Sequence, residues 1–153
     1  MFMITLPGSW IYILLSSSDY TRCKIGRTDG NPLIRFRNLR TGDPNLGLHV
    51  AYYVPKRLAP ISKIESSIHY DFKDYRITNH EDTNSEWFRV DFEQAEMYID
   101  YLLEKLLDHR LSNQADIHLD IPTKMYESDL RDIYEPDPHD RSFAEWIIKN
   151  TGD

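Results

Sequence analysis

The sequence predicts an α+β fold: a small antiparallel sheet of about three to four strands flanked by helices, with an acidic C-terminal extension. Three observations predict it. Short β-branched and aromatic segments alternate with segments of helical spacing; their order is strand, strand, helix, strand, helix, strand, helix; and acidic charge gathers after that series ends.

Residues 9–15 are rich in Ile, Leu and aromatic side chains and run into the polar turn Ser16, Ser17, Ser18, Asp19, so they read as a strand. Residues 22–27 alternate polar and apolar before Gly30 and supply the second arm of a hairpin. A register symmetric about Ser18 would set Tyr12 directly opposite Lys24, with both side chains on one face. Asn31 and Pro32 start a helix: asparagine offers a capping acceptor, and proline at the first helical position lacks only an N–H that has no partner there. Thr41, Gly42, Asp43 and Pro44 stop it after about residue 39. Residues 48–54 form the third strand. Pro60 opens a second helix with Ile61, Ile64, Ile68 and Phe72 as its buried stripe. Residues 86–90 form a short strand, after which Asp91, with Gln94 in capping-box position, starts a helix whose inner face is Ala95, Tyr98, Leu102 and Leu106. Beyond residue 107 the periodicity fades, leaving two short helices at about 124–133 and 141–150, separated by Pro136 and Pro138. The organisation expected is one domain over 1–107 and an extension over 108–153.

The 153 residues suffice for one core, and no apolar run reaches the length of about 20 residues needed to span a bilayer. The opening residues lack a basic leader and read as strand, so a cytoplasmic protein with no membrane contact is expected. Cys23 is the single cysteine, which excludes an internal disulfide and a multi-cysteine zinc site; between Arg22 and Lys24 it reads as a packed thiol. The net charge of −7 hides two halves. Residues 1–90 hold twelve Lys/Arg against nine Asp/Glu, and residues 91–153 hold six against sixteen. Arg22, Lys24, Arg27, Arg35, Arg37 and Arg40 face only Asp29 over their stretch, a charge pattern suited to phosphate.

Trp10-Ile11-Tyr12 and Lys24-Ile25-Gly26 lie on adjacent strands. They are followed by Arg27-Thr28, by Leu39-Arg40-Thr41-Gly42-Asp43-Pro44, by Glu65 with His69, and by Glu86-Trp87-Phe88. This ordered series resembles the phage-type branch of the GIY-YIG nuclease superfamily, covering residues 9–107. The resemblance implies a metal-dependent DNA endonuclease (a phosphodiesterase) using one divalent cation, Mg²⁺ or Mn²⁺, and leaving 5′-phosphate and 3′-hydroxyl ends.

By that resemblance Tyr12 is the general base, a role that needs a phenol of lowered pKa; the plain alternative is an ordinary strand tyrosine. Lys24 stands where the family name has its second tyrosine, and is read as lowering the Tyr12 pKa, contacting phosphate, or simply solvated. Arg35 takes the place of the family's phosphate-binding arginine, which a permanently charged planar fork suits. Glu65 is the implied metal ligand, and a single carboxylate is no objection because magnesium keeps most of its waters. Arg27, Arg37, Arg40 and His69 are the candidate substrate contacts; His69 is equally read as orienting Glu65 or as packing. Glu86, Trp87 and Phe88 are assigned to structure, with Glu86 available to an arginine. Asn79 and Asn84 are candidates for polar support of the metal. Trp10 departs from the small first residue of the name motif. Leu39 stands where some relatives carry His or Tyr, which removes one base. The alternative function is an inactive scaffold whose acidic half binds a protein or mimics DNA charge. Partners expected are DNA and, through 108–153, a protein or a second copy of the chain.

Overall fold

The computed structural model describes residues 7–78, 84–113 and 121–135. Six strands form one antiparallel sheet: β1 (Gly8–Ser16), β2 (Asp19–Thr28), β3 (Leu46–Pro55), β4 (Arg76–Thr78), β5 (Asn84–Phe88) and β6 (Thr123–Tyr126), in the spatial order β4-β5-β2-β1-β3-β6. The helices are α1 (Pro32–Arg40), α2 (Ile61–Asp71), α3 (Phe92–Asn113) and α4 (Glu127–Tyr134).

Alternation along the central strands sends side chains to two cores. Ile11, Ile13, Ile25 and Val50 meet Ile64 and Ile68 of α2 and Ala95, Ile99 and Leu103 of α3. On the other face Trp10, Tyr12, Leu14 and Ala51 meet Leu33 and Phe36 of α1 and Leu130 of α4. Helices therefore cover both faces of the sheet. Asn31 caps α1 as its chemistry requires, its side chain accepting from Leu33 N at 2.9 Å, and Pro32 is the first helical residue. Asp91 Oδ1 accepts from Glu93 N at 3.0 Å at the start of α3. Among the described residues no helix is long and apolar enough to cross a membrane.

Three expectations need correction. The sheet has six strands rather than three to four, because β4 and β6 add to its two edges. Part of the stretch read as extension thereby enters the fold: Lys124 and Met125 pair with Tyr52 and Ala51, and the helix expected at 124–133 begins only at Glu127. The hairpin is also set two residues along from the symmetric register. An irregularity between Leu15 and Ser16 puts Tyr12 opposite Gly26 and Lys24 opposite Leu14. Tyr12 and Lys24 still share a face, since Lys24 and Gly26 are two residues apart on one strand. The helix expected at 141–150 lies outside the described residues.

Candidate active site

The hairpin explains the glycine of the second motif. A Cβ at Gly26 would lie 2.5 Å from Tyr12 Oη and 2.7 Å from its Cζ, so only glycine lets the phenol ring lie across β2. Tyr12 is buried and its hydroxyl completes no regular hydrogen bond. Its neighbour is the Arg35 guanidinium, delivered one turn into α1. Burial raises the Tyr12 pKa; Arg35 pulls it down, and the carboxylates of Glu86 and Glu65 push it up again, leaving it above its ordinary value. In the free protein this phenol keeps its proton at neutral pH.

Glu65 projects from α2 toward β2. Its Oε1 accepts from Arg27 Nε at 3.2 Å, while Oε2 is buried and has no partner. Burial raises the Glu65 pKa; His69 and Arg27 oppose that, and Glu86 adds to it. One turn on, His69 Nε2 lies 3.0 Å from the Ile25 carbonyl, so that nitrogen carries the proton, and the ring packs on Phe88 at 5.0 Å. His69 is thus committed to packing α2 on β2.

These groups come from opposite faces of the sheet and interact by charge, Tyr12 with Arg35, Glu86 and Glu65. Among the described residues β5 pairs with β2 only at Cys23 and Lys24. Glu86 comes where that pairing stops. Its Oε2 lies 3.7 Å from Lys24 Nζ, and its charge acts on Tyr12, Arg35 and Glu65. Charge interactions thus link Glu86 with each of Tyr12, Lys24, Arg35 and Glu65. Glu86, expected beside an arginine, acts by charge on Arg35 and forms its ion pair with Lys24.

The T5orf172 domain profile matches residues 9–103. The chain belongs to the T5orf172 domain family. This is a phage-derived domain related to the GIY-YIG nuclease superfamily. No curated protein and no solved structure matches the chain.

The residues that the T5orf172 match carries outside this cluster are mostly occupied by the protein itself. Arg37 pairs with Glu135, the residue after α4. Arg40 Nε donates to the Pro44 carbonyl at 3.4 Å and its guanidinium lies 5.8 Å from the Phe36 ring. Arg27, read as a phosphate contact, reaches Glu65 instead. Cys23 is a buried free thiol whose pKa burial pushes up to about 12, the packed residue expected. Asn79 lies outside the described residues, and the Asn84 side chain is likewise not described.

A metal fits this site in one way. Among the described residues no three His, Cys, Asp or Glu side chains form a cage. A cation that keeps its waters needs only one or two carboxylates, and Glu65 Oε2 is a buried oxygen awaiting a partner.

Proposed function

We propose that the chain is a metal-dependent DNA endonuclease that hydrolyses phosphodiester bonds with one Mg²⁺ or Mn²⁺ held on Glu65. The observation that carries this is the buried, unpartnered Oε2 of Glu65, a carboxylate whose charge is felt by the Tyr12 phenol beside Arg35. Such an atom costs about 1–3 kcal/mol when left unsatisfied, and a scaffold kept only for protein binding has no use for it. The family relationship supports the same reading.

The bound cation supplies positive charge against the phosphate and the leaving 3′ oxygen. Arg35, exposed on α1 beside the phenol, binds a phosphate oxygen and stabilises the charge that develops on it. For Tyr12 Oη to receive the proton of the attacking water, the phenol must first release its own to solvent, against the burial that raises its pKa. Arg35 is the cation that favours the phenolate directly, and Lys24 assists by neutralising Glu86, a carboxylate that opposes it. This replaces the simpler expectation that Lys24 acts on Tyr12 across a matched pair. Arg40 and Arg37 extend the phosphate contact along α1.

The test is nicking of supercoiled plasmid by purified full-length protein in Mg²⁺ or Mn²⁺. Cleavage is expected, with complete loss on Glu65→Ala and in EDTA. A rate loss in Arg35→Ala larger than its loss of DNA affinity separates chemistry from binding. Cleavage that persists in EDTA rules out the proposal.

A further inference from the structure

Alternation along β2 sends Ile25 and Arg27 toward α2 while Lys24 and Gly26 stay on the Tyr12 face. Glu65 and His69, one helical turn apart, meet the first pair: His69 takes the Ile25 carbonyl and Glu65 takes Arg27. The two contacts differ in consequence. His69 is used up by its carbonyl, whereas Arg27 engages one oxygen of Glu65 and leaves the other buried and bare. A carboxylate otherwise turns about its last bond and offers either oxygen, or both. A directed N–H on Oε1 removes that freedom.

We propose that Arg27 is a positioning residue, whose Nε–H fixes Glu65 so that Oε2 alone is presented to the divalent cation. This rests on Glu65 being the metal ligand. It departs from the sequence reading of Arg27 as a substrate contact and gives its side chain a function that acts through Glu65.

A guanidinium beside a metal ligand has a second effect, since its charge opposes an incoming cation. The two effects have opposite signs. The Arg27 side chain is 44% exposed and the Glu65 side chain 15%, and both the charge and the hydrogen bond of Arg27 act on Glu65. Only the hydrogen bond sets where the free oxygen lies, and partners that orient metal ligands typically change metal affinity by about 10–100-fold.

The experiment is Mn²⁺ titration of the full, DNA-free chain, followed by calorimetry at fixed pH and ionic strength, with circular dichroism to verify folding. Wild type is expected to bind Mn²⁺, Glu65→Ala to lose binding, and Arg27→Ala to bind at least tenfold more weakly. Arg27→Lys keeps the opposing charge without the directed Nε–H and is therefore expected to bind no more tightly than Arg27→Ala; it carries the test if the alanine variant does not fold. Unchanged or tighter Mn²⁺ binding in folded Arg27→Ala, or wild-type affinity in folded Arg27→Lys, overturns the role of Arg27 while leaving Glu65 as ligand. Binding that is absent from wild type, or that survives Glu65→Ala, overturns the metal reading and this inference together.

Discussion

Tyr12 lies on Gly26 so closely that the two residues are one feature of the site. Gly26→Ala would place a methyl 2.5 Å from the phenol oxygen of a residue that is 2% exposed and has nowhere to move. Overpacking of this kind costs about 1–3 kcal/mol, and the displaced hydroxyl would leave Arg35. The expected outcome is a lower melting temperature together with slower plasmid nicking; wild-type values of both would show that the close contact has no consequence. Glu65 carries a second expectation. Because burial puts its folded pKa above the ordinary 4.5, the fold favours the protonated carboxyl. The associated stability is present below the unfolded pKa and is lost as pH rises through the folded value. Glu65→Gln should therefore raise the melting temperature at pH 7 in metal-free buffer, and the gain should shrink as the buffer is taken below about pH 4.5. A variant that melts lower than wild type at pH 7 would mean that the Arg27 pair outweighs the burial. Function at such a site is held at the expense of stability.

At the scale of elements, β6 is secured less by its own four residues than by one polar knot. Glu96 of α3 accepts from His49 Nε2 and from Tyr126 Oη, each at 2.6 Å, and pairs with Lys124, which also reaches Asp100 at 3.0 Å. Burial works against ionisation here, but hydrogen bonds from Lys124, Tyr126 and His49 win and hold the Glu96 carboxyl at about 2. Its stabilisation is complete above the unfolded pKa and is lost as pH falls from there toward 2, an effect on the order of 2–3 kcal/mol. Glu96→Gln should lower stability at pH 7 and flatten acid unfolding over that window, as followed by near-ultraviolet circular dichroism; an unchanged acid transition would assign it to other carboxylates.

The same knot shows why β6 escaped the sequence reading. Thr123–Tyr126 offers one buried side chain, Met125, and too short a run to show a period, while its ties lie 24 to 30 residues away in sequence. The three residues of β4 are no more informative. In contrast, α1 and α2 carry their signals locally, as the Asn31 cap and the Ile64 and Ile68 stripe. The site divides in the same way. Tyr12, Arg35 and Glu65 were legible from the order of the motifs, but the Glu86 pair with Lys24 and the Arg27 hold on Glu65 are tertiary contacts, with no spacing rule to announce them.

For the whole molecule the proposed function raises the question of how a chain of net charge −7 would hold a polyanion. The two electrostatic halves touch in the fold. On the face shared by α1 and α4, Glu135 pairs with Arg37, and α4 adds Glu127, Asp129 and Asp132 against the single Arg131. Arg37 belongs to the basic stretch that would follow the phosphate backbone, so a bound DNA must displace Glu135 or forgo that contact. The side chains of the pair are 52% and 39% exposed, and exposed pairs contribute up to about 1 kcal/mol. Under the proposed function DNA would displace Glu135 at a loss of no more than roughly fivefold in affinity. Removing residues after 107 would not isolate this effect, because Met125 and Leu130 are buried in the core beside Tyr12 and would be lost with it. A point change does isolate it. In EDTA, where no cleavage occurs, Glu135→Gln should bind a duplex oligonucleotide more tightly than wild type at low salt, measured by fluorescence anisotropy. The advantage should vanish as salt screens the surface. Arg37→Ala should bind more weakly, and adding Glu135→Gln to it should then change little, since the restraint acts through that one guanidinium. Equal affinities of wild type and Glu135→Gln at low salt would mean that the acidic helix only caps the core and leaves the DNA-binding surface unrestrained.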